Sequence, residues 1–448
     1  MNAYFILLET LANTSQLSAE QEMRIKAIYL GCFLLAVVSI TKLAREILPK
    51  TVAIASTATI GVIATIVGLV ASYKSSDLAS FLSMAFAGWS VWWMSIFNIR
   101  DKIRKKTKKA DADIAKAGWD ESQLHQIASQ TFMRYQADWS KRDPSNLALY
   151  ATPDCATHVG LLMRAMADVG QSNIIKRPKI VRIDISEIHD DSNDSRDKFS
   201  AVIEAKAKRI LIDDISRKKL YTNRDTLIED WIFKREGSTW LLDDIHQNAV
   251  ELSSDEVDLR RFARAHGMFY RLDTNRLLIS PRFDFFDRGV STFRQGMINH
   301  QVIGLVKNQL VQLYTYHIDN GSNPAIHKMQ DYLVGQINLS KSYGNIIIER
   351  KIFVTLKRAS PTRNYKRHKL NWPGFNGRYR LYATDQSSLD NFKLLNPQFM
   401  EFLYDNFKDV SIEVVGNIVL FYSIKSTNRR DYEKLLPLLS KAIEELGE

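Results

Sequence analysis

The residues that could do chemistry are scattered, and few sit at a working spacing. The nine histidines form no metal-ligand pattern. His300 beside Asn299, and His317 beside Tyr316, fall on expected strands and read as structural histidines. Paired acids occur at Asp190-Asp191, Asp213-Asp214 and Asp243-Asp244. Neighbours on a strand face opposite sides, so such pairs share neither a proton nor a metal; they read as turn and edge residues. Phosphate-cradling, dinucleotide, nucleophile-elbow and zinc-protease motifs are absent. Cys32 and Cys155 are too few and too far apart for a CxxC pair, which fits a reducing compartment. No cofactor and no metal is implied. The best acid–base arrangement is Asp184 or Asp230 with Tyr135. Both acids alternate with large apolar residues, which turns them away from a core lined by Ile183, Ile185, Trp231 and Phe233. The sequence does not read as an enzyme; a small-molecule enzyme built on these residues is kept as an alternative.

Charge says more. The formal net charge is +11, and the cations cluster twice. The stretch Arg100–Lys109 (RDKIRKKTKK) sets seven basic residues against Asp101. Arg100, Lys102, Arg104, Lys105, Lys106, Lys108 and Lys109 are expected to meet anionic headgroups and fix topology. The second cluster is Lys351–Lys369 (KIFVTLKRASPTRNYKRHK). It reads as a solvated basic loop, with docking to a ribosome or nucleic acid as the alternative. No zinc-finger spacing, basic zipper or RNA-recognition signature accompanies it, so nucleic acid is disfavoured as a partner.

The first cluster gains meaning from what precedes it. Segments 27–43, 52–72 and 78–99 are apolar, and a membrane-spanning helix needs about 20 such residues. The expectation is three transmembrane helices after an external flank, residues 1–24, with a basic connector at 100–118 and everything beyond it cytoplasmic. That places the protein in the cell (inner or plasma) membrane as a multi-pass protein, with membrane lipids around it.

The soluble remainder divides into two domains, 119–250 and 256–448. In the first, Leu124, Ile127, Ala128, Thr131, Phe132, Tyr135 and Trp139 recur at three and four, one stripe of a helix that Asp120 can cap. Asp143-Pro144 stops that helix, and Asp154–Val169 predicts another. The period then changes to two: Pro178–Ile188, Phe199–Ile212, Asp225–Arg235 and Trp240–Gln247 read as strands, with a tight turn at Glu236–Thr239. Helices followed by an antiparallel meander make an α+β domain.

These residues carry a resemblance. The run "WSKRDPSNLALYATPD" and the closing "LIEDWIFKREGSTWLLDDIHQ" look like the Tim-forty-four-like family, the C-terminal domain of the mitochondrial import-motor anchor and its bacterial relatives, over about residues 120–249. The resemblance implies a cone of curved antiparallel sheet on helices, similar to nuclear transport factor two, that tethers or adapts partner proteins and can hold an apolar pocket. A mitochondrial location is not carried over. If such a pocket exists here, Phe132, Tyr135, Trp139, Ile183, Ile185, Trp231 and Trp240 would line it; an ordinary filled core is the competing reading.

In the second domain, Arg276–Phe286, Asn299–Ile318, the two runs of Tyr332–Glu349 around Gly344, and Val410–Ser423 with its Gly416-Asn417 turn read as strands. Pro397 opens a helix, and Arg430–Leu446 is an amphipathic terminal helix. This part resembles a bacterial membrane-associated domain of unknown function. The resulting expectation is a non-enzymatic, multi-pass membrane protein presenting a cytoplasmic tethering or adaptor module for protein partners, with lipid as a further ligand. Self-association is compatible with it.

Overall fold

A computed structural model describes residues 103, 106–247, 253–287, 296–319, 329–351, 364–424 and 429–447. The chain divides into units 1–104 and 105–448. The second unit begins with a helix α1 over 106–117, α2 (Glu121–Lys141), α3 (Pro153–Asp168), β1 (Gln171–His189), β2 (Lys198–Asp213), β3 (Lys219–Asn223), β4 (Leu227–Glu236) and β5 (Thr239–His246). Then come α4 (Ser254–Ala265), β6 (Phe269–Asn275), α5 (Asp284–Asp287), β7 (Met297–Val306), β8 (Gln309–Asp319), β9 (Met329–Asn338) and β10 (Asn345–Arg350). The chain ends with β11 (Lys366–His368), α6 (Pro373–Arg378), β12 (Tyr379–Ala383), α7 (Gln386–Asn391), α8 (Pro397–Asn406), β13 (Ser411–Val415), β14 (Ile418–Ile424) and α9 (Arg429–Leu446).

The membrane expectation is corrected. Among the described residues no helix is long and apolar enough to cross a membrane. The segments 27–43, 52–72 and 78–99, on which the three-span, multi-pass reading rested, lie outside the described residues. The described helices are two-faced. Helix α9 buries Tyr432, Leu435, Leu438, Leu439, Ala442 and Ile443, while Glu433, Lys434 and Glu444 are turned outward or partly exposed. A helix with such a polar stripe suits a protein surface. The fold class of the described unit is α+β, built on two antiparallel sheets.

The first sheet runs β1-β2-β4-β5, with β3 also on β2. The second has nine strands in the order β11-β12-β10-β13-β14-β9-β8-β7-β6. Local chemistry sets many of the joints. Asp120 accepts the Ser122 N–H at 2.9 Å and starts α2. Pro397 occupies the first turn of α8, whose cap Asn396 accepts the Phe399 N–H at 2.8 Å. The hairpins β4–β5 and β13–β14 close on Gly237-Ser238 and Gly416-Asn417, with both glycines at positive φ. Lys307-Asn308 closes β7–β8 with positive φ at both residues.

The nine-stranded sheet is buried on both faces. Along β14, Ile418, Leu420 and Tyr422 join a core shared with α2, α3 and the first sheet, while Val419 and Phe421 join a second core under α4 and α9. The expected strand Arg276–Phe286 is instead a run of turns ending in α5. Its anchor is Glu413 on β13, fully buried, which accepts the N–H groups of Asp284 and Phe285 at 2.6 and 2.7 Å. A carboxylate meeting two backbone donors holds a turn where a strand pattern alone would predict pairing.

Candidate functional site

Between α2 and the first sheet the aromatic stripe packs ring against ring. Phe132, Tyr135, Trp139, Ile185 and Trp231 are buried, and Ile183 and Trp240 are half-buried at the rim. The Trp231 ring lies 5.3 Å from both Phe132 and Tyr135, and Tyr135 stacks on Trp139 at 5.8 Å. Trp240 meets Phe199 at 4.9 Å and Trp119 at 5.1 Å. Surface clefts open at Lys179 and at Lys351, and neither touches these seven residues. The structure thus brings the sequence-predicted lining together, but as mutual packing.

Asp184 and Asp230 do not join Tyr135. Asp184 accepts from Arg182 Nε at 2.7 Å, and Asp230 accepts from Ser186 Oγ at 3.2 Å. The acid beside Trp231 on the inner side is Glu229, which accepts the indole N–H at 3.1 Å. Burial raises the carboxyl of Glu229 and the phenol of Tyr135 above their ordinary ranges, and the charge of Arg271 opposes both shifts. Arg271 sits on β6, so this inner charge comes from the second sheet, far along the chain from Tyr135. Sequence spacing holds no signal for it.

The paired acids tie elements together. Asp243 meets Lys198 Nζ at 2.9 Å. Asp244 meets His246 Nε2 at 2.9 Å and Arg260 at 3.1 Å. Burial pushes the Asp244 carboxyl up, but the His246 hydrogen bond and the charges of His246 and Arg260 outweigh it and hold the group below the usual range. Arg260 reaches β5 because Ser253 and Glu256 form a capping box that sets the start of α4. Asp214 meets Arg142 at 2.8 Å, and Asp191 closes the β1–β2 turn on the Asn193 N–H. His300 Nδ1 pairs with the Tyr270 hydroxyl at 2.8 Å, and His317 pairs with Asp331. The "WSKRDPSNLALYATPD" stretch is likewise structural: Tyr150 donates to buried Asp138 at 3.0 Å, and Arg142, at positive φ, donates to the Gln171 carbonyl.

Lys106, Lys108 and Lys109 lie exposed on α1; Arg100, Lys102, Arg104 and Lys105 fall outside the described residues. Of the second basic cluster, residues 351 and 364–369 are described. Lys351, Arg367, His368 and Lys369 form one wall of a cleft of about 390 Å³ at the edge of the nine-stranded sheet. Lys351, Arg367, His368, Lys369 and Arg380 converge there, and no carboxylate lines it among the described residues. The opposite wall, α6, is fixed: Asn376 accepts the Leu370 N–H at 3.0 Å and donates to the Leu370 carbonyl at 2.6 Å. Lys351 Nζ donates to the Asn376 carbonyl. Desolvation, then the charges of Arg367, Arg380 and Lys369, lower the Lys351 ammonium below the ordinary lysine range. Arg380 comes from β12, so the sequence cluster shows only part of this site.

No protein-family model matches the chain, and no curated protein matches it. Among solved structures, the mycobacterial trehalose monomycolate transport factor A aligns with a TM-score of 0.30 and 14% identity, over 42% of this chain and 94% of that one. A likeness at that score defines neither fold nor function, and the Tim-forty-four-like likeness of residues 120–249 remains a resemblance.

Proposed function

We propose that the unit 105–448 is a non-enzymatic tethering or adaptor module that binds an acidic segment of a protein partner. The observation that carries this reading is the cleft at Lys351, Arg367, Lys369 and Arg380, where cations gather opposite a fixed wall without a lining carboxylate among the described residues. Their mutual repulsion helps to lower Lys351 and would be relieved by an incoming acidic chain. The resemblance of residues 120–249 to the Tim-forty-four-like family agrees with a scaffold role, and the ring-on-ring packing around Trp231 agrees with binding at the surface.

Nucleic acid is the second candidate for the same cleft. Binding of single strands draws on exposed aromatic platforms. The aromatic ring at this cleft, Tyr379, is buried, and its hydroxyl donates to the Phe407 carbonyl at 3.3 Å. That favours the acidic protein segment. The test is fluorescence anisotropy of a labelled oligoglutamate peptide and of labelled oligothymidylate against the full chain, and against Lys351→Gln/Arg380→Gln. Peptide binding that falls in the double variant is the expected result. Tighter oligothymidylate binding through the same residues would replace the protein reading with the nucleic-acid one.

A further inference from the structure

A second basic cleft, of about 690 Å³, opens in the first sheet, and the strand register explains it. Strand β2 pairs with β4 through Ala205 and with β3 from Arg209 onward. Residues 206–208 therefore fall between two ladders. On the other side, the β1 register slips between Lys176 and Lys179. Arg177 takes φ 53°, and Pro178 follows it without an N–H to give. Strand β2 thus loses regular partners on both sides at the same point.

The slip sets lysine against lysine twice. Lys176 lies opposite Lys208, and Lys179 lies opposite Lys206. Like charges directly across an antiparallel pair are destabilising. Arg177 and Arg224 complete the lining, with Ala207 as its uncharged member. Among the described residues, none of these six cations has an ion pair. Another facing pair shows the ordinary remedy: Lys198 lies opposite Lys234, and Lys198 is neutralised by Asp243. Asp184 is held by Arg182, and Glu204 lies opposite Arg182.

The geometry points to a binding site for a soluble oligophosphate, a small molecule carrying two or more linked phosphates. Along β2 the two lysine pairs lie two residues apart, about 7 Å of strand, so they form a short basic track. A chain of phosphates matches such a track, and each phosphate presents several oxygens to ammonium and guanidinium donors. A single carboxylate would satisfy one pair and leave the other opposed. This site is separate in sheet and residues from the cleft of the proposed adaptor function and does not rest on that reading.

The experiment is calorimetric titration of the full chain with sodium tripolyphosphate, with thermal melts at matched ionic strength. Expected is saturable binding that weakens by at least about tenfold in Lys179→Gln/Lys206→Gln. The same double variant should melt higher than the native chain without ligand, because a facing like-charge pair has been removed. That gain separates lost binding from lost folding. Lys351→Gln/Arg380→Gln should leave tripolyphosphate binding unchanged. Undiminished binding in Lys179→Gln/Lys206→Gln, or a tripolyphosphate melting shift no larger than that of sodium chloride, would overturn the site. Tighter binding through the same lysines of an oligonucleotide, or of vesicles bearing a bisphosphorylated headgroup, would overturn its assignment to a soluble ligand.

Discussion

Asp244 on β5 and Arg260 on α4 meet at 3.1 Å, and this pair joins the smaller sheet to the helix that covers the larger one. His246 shares both partners, 2.9 Å from Asp244 and 3.1 Å from Arg260. The Asp244 side chain keeps 32% of its surface accessible, so water screens the pair. Arg260→Ala is expected to lower unfolding free energy by about 1–2 kcal/mol, below the cost of breaking a fully buried pair. Chemical denaturation of the two proteins measures it, and an unchanged midpoint would show that the pair is no clamp.

Trp231 is fully buried between Phe132 and Tyr135. Trp231→Ala should cost about 3–5 kcal/mol, as large-to-small changes in filled cores do. Fatty acid should not restore the lost stability or raise the melting temperature of the native chain. A lipid-dependent rise in thermal melts would show that the interior opens into a pocket.

Two buried groups give opposite pH dependences. Burial lowers His158 from 6.5 to about 4, with the charge of Arg271 adding to the shift. Its neutral form belongs to the fold, so its contribution is complete above pH 6.5 and is lost as pH falls towards 4. Burial raises Asp273 from 3.8 to about 6. Here the neutral acid belongs to the fold, so the contribution is complete below 3.8 and is lost as pH rises through 6. Each shift corresponds to at most about 3 kcal/mol, and between about pH 4 and 6 they largely cancel. Denaturant midpoints across about pH 4–7, read as the difference between each variant and the native chain, isolate the two groups. Relative to the native chain, His158→Gln should gain stability on acidification, and Asp273→Asn should lose it. Parallel curves for all three proteins would exclude the assignment.

Cys155 is buried at the start of α3, and desolvation, followed by the charges of Asp244 and Asp243, raises its thiol above the ordinary range. A thiol held protonated reacts slowly. Mass spectrometry after maleimide treatment should find the Cys155 peptide unlabelled in native buffer and fully labelled in denaturant. Rapid native labelling would mean that α3 opens readily.

The local rules determined much of this chain. Asp120, Pro397 and the Gly237-Ser238 and Gly416-Asn417 turns act within a few residues, so their elements appear where the sequence puts them. The alternation at Trp231 and Phe233 correctly turned Asp230 away from Tyr135. The unbroken apolar run of β14 reflects its two buried faces, a feature of composition. Tertiary structure alone decided the rest. Arg271 reaches Tyr135 from a strand of the other sheet, and Arg380 completes a cleft whose linear cluster ends at Lys369. Lys176 and Lys179 meet Lys208 and Lys206 through a register slip at Arg177-Pro178; without it, the pairing shifts and the charges land elsewhere. Caps and turns are contacts between neighbours in sequence, so their residues announce them. Register and sheet-to-sheet packing are set by the whole assembly, and a residue's distant partner leaves no mark on its own position in the chain.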